Sequence, residues 1–443
     1  MKRHDSFVFI LIVLFCFIAG TINAQNQINI KNFGAKGDGK SNDYEAFLAA
    51  ANYINKKGTG ELLLPKGVYL LDVYNVGTSG IKNIQFENVT NLKILGMEAV
   101  IDVKGNFHRG INKLHKGFYY SNSTAIVPLS FKNCNNIFIS GIEINGNVDK
   151  MTRDSNVMET GGRLMVFNSC KTVKLKNLYL HHAQSDGLYI SGNSSNFTAS
   201  NIISANNGRQ GMSIIHLING SFKNCSFINT GFTEGEYGYH APGAGIDIEP
   251  NSNGPGVENV LFDSCTFTNN KGSQIVISSP KYTTNIIIRN SNIDAQKGNS
   301  GYQLILAAKK VRLENSYIDC GPGNLCPTWN SQPGSEVIIK NNIIKSASRG
   351  ILSTDKSPLS HVLIENNTIE YTGNEILLSY FPYIQSNVSF INNKIVIPEQ
   401  FLKPKGISSL IQNATISSGN KFYSYGKEIK PNVSYTGTKT VND

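Results

Sequence analysis

Two carboxylic acids two positions apart, Asp247 and Glu249, stand between isoleucines in this 443-residue chain. The segment Gly245-Ile246-Asp247-Ile248-Glu249 alternates as a half-buried strand does. With Ile246 and Ile248 turned into a core, both acids face outward, about 6.5–7 Å apart. A pair separated by about 6.5–9.5 Å leaves room for a water and suits acid–base cleavage of a glycosidic bond. Their repulsion should keep one acid protonated beside an ionised partner. Aligned strands begin at Arg163, Gly187, Gly211 and Gln274, and they set Tyr189 and Ser213 in the row of Asp247. Asp186, just ahead of Gly187, offers a third carboxylate to the same surface. Arg163, Tyr189, Arg209, Ser213, His240 and Lys281 are then the expected substrate-binding residues. Gly187, Gly211 and Gly245 are expected to leave a smooth strip on which a sugar can lie. His181 and His182, as strand neighbours, should point to opposite faces and share no ligand.

A repeat has to position these groups. Gly141, Asn177, Asn201, Asn224, Ser264, Asn290, Asn315, Asn341, Asn366 and Asn392 each follow a short apolar run, and seven of the nine intervals are 23 to 26 residues. The runs Ile286-Ile287-Ile288, Val337-Ile338-Ile339 and Val362-Leu363-Ile364 are β-branched and short, hence strands. A period of about 25 residues without helical pattern predicts a right-handed, single-stranded parallel β-helix of about ten coils. Asparagine suits the corners, because it tolerates left-handed backbone angles and its amide can bond the copy in the next coil. Cys225, Cys265, Ser291 and Ser316 are small enough to stack inside. Two intervals are long: Gly146 to Gly161 and Thr230 to Ala244 are charged insertions at one place in the coil, expected to rise as walls of a groove.

Residues 1–24 carry Lys2, Arg3, an apolar stretch from Phe7 to Gly20 and Ala24, the pattern of a cleaved signal peptide. The expectation is a secreted or periplasmic, monomeric protein without membrane insertion. Six of the seven cysteines lie beyond that segment. Cys320 and Cys326 flank a turn that an oxidising compartment could bridge. Net charge is +10, or +9 once Lys2, Arg3 and Asp5 are removed, which suits a uronate or sulfated polysaccharide as partner. No basic run or aromatic-interleaved patch supports nucleic acid.

Residues 25–105 form the expected cap and first coil, 106–405 the solenoid proper, and 406–443 a segment over the last coil. In the cap, Asn42-Asp43 precedes a helix, Tyr44 to Lys56, with Phe47, Leu48, Ala51 and Ile54 on one face. The stretch Phe33-Gly-Ala-Lys-Gly-Asp-Gly-Lys-Ser-Asn-Asp43, that helix and Leu64-Pro-Lys-Gly-Val-Tyr69 together resemble the start of pectate-lyase-superfamily proteins. The resemblance implies a right-handed β-helix acting on a polysaccharide, and the superfamily holds hydrolases, lyases, epimerases and tailspike-type binders. Asp186, Asp247 and Glu249 resemble the three carboxylates of polygalacturonase-like hydrolases, though the adjacent Asp-Asp pair and Gly-His-Gly motif are absent here. Asp247 and Glu249, at i and i+2 on one strand, also resemble the Ca²⁺ ligands of pectate lyases, where a nearby Arg or Lys takes the C5 proton. Three readings therefore stand: a glycoside hydrolase without cofactor, a lyase or C5-epimerase on a uronate polymer, and a non-catalytic glycan-binding solenoid.

Overall fold

A computed structural model describes residues 27–72, 83–104, 113–115, 118–120, 126–150, 157–159, 162–232, 241–251, 254–298, 301–326, 334–346, 361–371, 387–397, 416–429 and 440–442. The β-branched runs form strands as expected. Ile286, Val311, Val337 and Val362 stack in parallel register from coil to coil. Nine short strands build one sheet: β1 (Gln85–Glu87), β2 (Leu129–Lys132), β3 (Met165–Asn168), β4 (Asp186–Ser191), β5 (Gln210–Ile214), β6 (Ala244–Ile248), β7 (Ile275–Ile277), β8 (Tyr302–Leu306) and β9 (Asn324–Cys326). Their spatial order is their chain order and every pairing is parallel, so each strand belongs to one coil. A larger sheet carries the remaining strands of the solenoid.

The corners explain the asparagines. Asn177, Asn201, Asn224, Ser264, Asn290, Asn315, Asn341, Asn366 and Asn392 all have φ between 52° and 58°. That left-handed turn strains most side chains but is open to asparagine. Between coils, Asn201 Nδ2 donates to Asn177 Oδ1 at 3.0 Å. The longer amide ladder sits one residue later and inside. Asn342, Asn367 and Asn393 are buried, and each Nδ2 donates to the Oδ1 of the next coil at 3.0–3.1 Å and to a backbone carbonyl at 2.9 Å. Toward the N-terminus the same row becomes Ser316, Ser291, Cys265 and Cys225. There the backbone N–H of Cys265 donates to Ser291 Oγ, and that of Ser291 to Ser316 Oγ, both at 3.1 Å. Above these polar corners the core is apolar. Phe86, Phe131 and Phe167 stack with centroids 5.4 and 4.8 Å apart.

The helix, α1 (Tyr44–Lys57), lies with Phe47, Ala51 and Ile54 buried and Leu48 half-buried over the first coil. Asp43 precedes it, but its carboxylate accepts from the N–H groups of Lys36 (2.6 Å) and Gly37 (3.0 Å). It closes the glycine-rich turn instead of capping the helix. Stacking also runs past residue 405. Ile416–Ser418 and Lys421–Ser424 pair in parallel with the preceding coil, Lys427–Ile429 folds back antiparallel on Lys421–Ser424, and Thr440–Asn442 adds in parallel to Ile416–Ser418. Cys320 is a buried free thiol rather than half of a bridge, and burial pushes its pKa up to about 12. It faces the interior. Cys326 ends β9 in the register row of Ile305. No helix among the described residues is long and apolar enough to cross a membrane.

The interior ladder makes a direct prediction. Asn367→Leu strips a partner from the Ile339 carbonyl and an acceptor from Asn342, at about 1–3 kcal/mol for each group left unpaired. Urea unfolding should show a clearly lower midpoint; an unchanged midpoint would mean the ladder is ornamental.

Candidate active site

The site begins where β4 departs from strict alternation. Leu188 is buried in the core, and a β-carbon on Gly187 would collide with Ser204 Oγ, so both positions face inward. Asp186 and Tyr189 are thereby set toward the outer side together. Asp186 has no exposed surface, yet its charge is matched. Arg163 Nε donates to Oδ2 at 3.3 Å, and Arg209 Nη1 donates to both oxygens at 3.2 and 3.3 Å. Ser185 Oγ donates to Oδ1 at 3.2 Å. Each arginine stands just before a strand of the small sheet, β3 or β5, so successive coils bring them to the same carboxylate. The Arg163 guanidinium lies 3.9 Å from the centroid of the Tyr189 ring, a cation–π contact that fixes its plane.

Two coils beyond Asp186, Asp247 occupies the middle of β6, opposite Ser213 of β5 and Val276 of β7. Ile246 and Ile248 enter the core as the alternation requires. Asp247 does face the outer side of the sheet, but only 4% of it is exposed, which corrects the expectation of an open ledge. Glu249, beyond the end of β6, is exposed. The difference is one of neighbours: Gln210, fully buried, covers Asp247 and donates from Nε2 to Oδ2 at 2.5 Å. Ser213 Oγ in turn donates to Gln210 Oε1. Asp247 Oδ1 is buried without a hydrogen-bond partner among the described residues.

Burial is the main force on the Asp247 proton. Desolvation, then repulsion from Glu249 and Asp186, raises its pKa to about 7, against the opposing pull of Arg209 and the Gln210 hydrogen bond. A carboxyl at that value exchanges a proton near neutrality, which an ordinary aspartate does not.

The structure thus gathers Arg163, Asp186, Tyr189, Arg209, Ser213 and Asp247 on adjacent coils, and leaves Glu249 solvated at the edge. Lys281, after β7, is exposed with Nζ 5.1 Å from the centroid of its neighbour Tyr282. His240 and most charged residues of the two insertions lie outside the described residues. The glycine strip is a packing requirement: a β-carbon on Gly211 would sit 2.5 Å from the Gly245 carbonyl, and one on Gly245 2.6 Å from Asn270 Nδ2. His181 and His182 meet after all, Nδ1 to Nδ1 at 2.6 Å, because His182 turns with φ of 55°. Gln210 was missed. Its signal is register, since it is the partner of Asp186 one coil on and lies three residues before Ser213.

The donor set does not suit the Ca²⁺ that the lyase resemblance implies. Calcium takes six to eight oxygen ligands. Of the expected pair, Asp247 is buried and held by the Gln210 amide N–H while Glu249 stands exposed beyond the strand, and Asp186 nearby is clamped by two guanidinium groups, so the neighbours are donors and cations. Among the described residues no group of three His, Cys, Asp or Glu is arranged to hold a metal.

Comparison with known proteins agrees with this architecture. Residues 27–266, more than half of the chain, match the family profile described as rhamnogalacturonase A/epimerase, pectate lyase-like. Residues 239–395 match the right handed beta helix region profile. Alginate lyase 7 of Azotobacter vinelandii is 24% identical over 225 residues, which is 50% of this chain and 24% of that protein. The match therefore spans about a quarter of that curated relative. The A-module of mannuronan C-5 epimerase AlgE6 from Azotobacter vinelandii superposes with a TM-score of 0.50 at 16% identity, over 94% of this chain and 99% of that one. A tailspike protein of E. coli bacteriophage HK620 gives a TM-score of 0.57 at 10% identity, over 90% and 72%. At these identities the structural likenesses speak for the fold.

The raised pKa of Asp247 carries a stability consequence. The folded state holds this proton more tightly than the unfolded chain, so stability is lost as pH rises from about 4 toward 7. Asp247→Asn removes the penalty. It should unfold at higher urea than the parent at pH 8, by on the order of a few kcal/mol, while the two converge at pH 3. A variant less stable than the parent at pH 8 would contradict the burial argument.

Proposed function

The chain belongs to the rhamnogalacturonase A/epimerase, pectate lyase-like family, and from that premise we propose that it acts on a uronate-type polysaccharide by moving the proton at C5 of the sugar. The observation that carries this reading is the buried Asp186 holding Arg163 and Arg209 beside an aspartic acid poised near neutral pH. A uronate carboxylate placed against the arginines has its charge offset, and the electron density that develops when the C5 proton leaves is stabilised there. Asp247, in its ionised fraction, accepts that proton through Oδ1, the buried oxygen that has no hydrogen-bond partner among the described residues. From there the C4–O bond either breaks, its oxygen taking a proton from water, to leave an unsaturated sugar, or stays intact while water reprotonates C5 from the other face to give the C5 epimer. Tyr189 keeps Arg163 in plane, and Asp186 prevents the two cations from repelling each other out of the site. The likeness to a protein named alginate lyase 7 supports the substrate class. The signal-like segment of residues 1–24 supports action outside the cytoplasm.

Hydrolysis is the second reading. Two carboxyl groups two residues apart, one at the middle of β6 with its proton held toward neutrality and one solvated just past its end, favour it, with Asp247 as acid and Glu249 as base.

The two part on products. Proton abstraction predicts either ultraviolet-absorbing unsaturated ends or solvent deuterium entering C5; new reducing ends with neither would establish hydrolysis instead. On either reading Asp247→Asn should lower kcat by about 10²–10⁴-fold with little change in KM. Arg163→Ala should raise KM for the charged polymer and lower kcat as well, because the same guanidinium stabilises the charge that develops at C5. Full turnover by Asp247→Asn would remove Asp247 from the mechanism.

A further inference from the structure

The larger sheet carries a groove that the catalytic reading does not use. It has a volume of about 760 Å³. Along one side runs an outward row set by register, Phe138, Lys174, Thr198, Ser221 and Leu261, one residue from each of five successive coils. At about 4.8 Å per coil the row is about 19 Å long, an extended trough and not a pocket for one small molecule. Along the other side stand Asn136, Asn196, Asn219 and Asn259, all with φ between 55° and 62°, which bends the sheet and makes the trough concave. Their amides bond along the axis: Asn219 Nδ2 to Asn196 Oδ1 and Asn259 Nδ2 to Asn219 Oδ1, both at 3.2 Å. One wall is therefore a strip of amide dipoles from Asn196 to Asn259, with Thr172 between it and Asn136, while the other has an aromatic ring, two hydroxyls and a lysine.

Charge singles out the occupant. Lys171, Lys174 and Lys176 are exposed on the strand Lys171–His181, and Lys223 lies two coils further along the row of Lys176. None of the four forms a salt bridge among the described residues, whereas Lys93 and Lys132 nearby are paired with Glu61 and Glu87. Lys174 Nζ stands 5.8 Å from the centroid of the Phe138 ring, so cation and stacking surface are presented together. Unneutralised lysines beside hydroxyls, amides and an aromatic face match an acidic, hydroxyl-rich chain lying lengthwise.

We propose that this groove is a second, non-catalytic binding site for an acidic polysaccharide. It would hold one stretch of the polymer while another occupies the site around Asp247. The choice of polymer rests on the uronate reading given above; the groove itself does not depend on which reaction follows. Holding one chain at two places raises the local concentration of cleavable or epimerisable segments, so the effect belongs to long polymer and not to short oligosaccharides.

Affinity electrophoresis through gels containing alginate or polygalacturonate, with dextran as neutral control, tests this. The parent and the catalytic variant Asp247→Asn should both be retarded by the acidic polymers and not by dextran. Phe138→Ala with Lys174→Glu and Lys176→Glu should weaken retention about tenfold, as expected when one of two linked sites is lost. The same triple variant should turn over short uronate oligosaccharides at the parental rate, which also shows that it is folded. Retention equal to the parent's would overturn the proposal. So would a parent that converts a uronate polymer without being retarded by it. A parent that neither binds nor converts any uronate polymer would instead overturn the substrate class, and with it this occupant. Equal retardation by dextran would show that the lysines play no part.

Discussion

Stacking in register is the constraint on which this molecule depends. In a parallel solenoid each backbone N–H and C=O must find its partner in the coil above or below, so a coil cannot drift without orphaning a whole strand. The interior then has to fill one row at a time. Cys225, Cys265, Ser291, Ser316, Asn342, Asn367, Asn393 and Asn420 occupy one such row, small groups at one end and amides at the other. Each solution works because a side chain here meets mainly its own copies. A serine hydroxyl accepts the backbone N–H of its neighbour one coil back, while an amide accepts that N–H and also donates across coils. The asparagine count of this chain is a consequence of that geometry.

The same register builds the site. Arg163, Asp186 and Arg209 are far apart in sequence but begin successive coils, so their convergence costs no special loop. Burying Asp186 completely would be prohibitive for a lone carboxylate, and two guanidinium groups with a serine hydroxyl offset that desolvation. A cluster of this kind is a poor way to gain stability, since apolar side chains of equal volume would do as well or better. It does hold two cations rigidly at a surface, which apolar packing cannot do.

Periodicity made the architecture legible. The corner asparagines, the β-branched runs and the isoleucines around Asp247 needed only the period of about 25 residues and strand alternation to be read. What alternation could not supply was local exception. Two consecutive inward positions at Gly187 and Leu188 turn Asp186 outward, and a strict two-residue period does not foresee that. Nor does one strand's pattern reveal cover from the next coil: Asp247 looked exposed until Gln210 was placed over it. The His181–His182 contact escaped for the same reason, because one left-handed residue redirects a side chain. Two residues of the site, Asp186 and Gln210, are register partners, so comparing coils position by position finds what reading along the strand does not.

The placement of Arg209 ties binding to proton transfer. It holds Asp186 directly, and its positive charge also draws the Asp247 pKa down against burial and the repulsion of two acids. On the proposed reading, a substrate carboxylate reaching the arginines adds negative charge to that balance and weakens the pull on Asp247. The carboxylate of Asp247 thereby becomes a stronger base at the moment a C5 proton lies beside it, and the free enzyme keeps a weaker one. A site with the same acid but no shared cation would lack this coupling. Binding and basicity would then be set independently, and the buried ion pair at Asp186 would have no catalytic consequence.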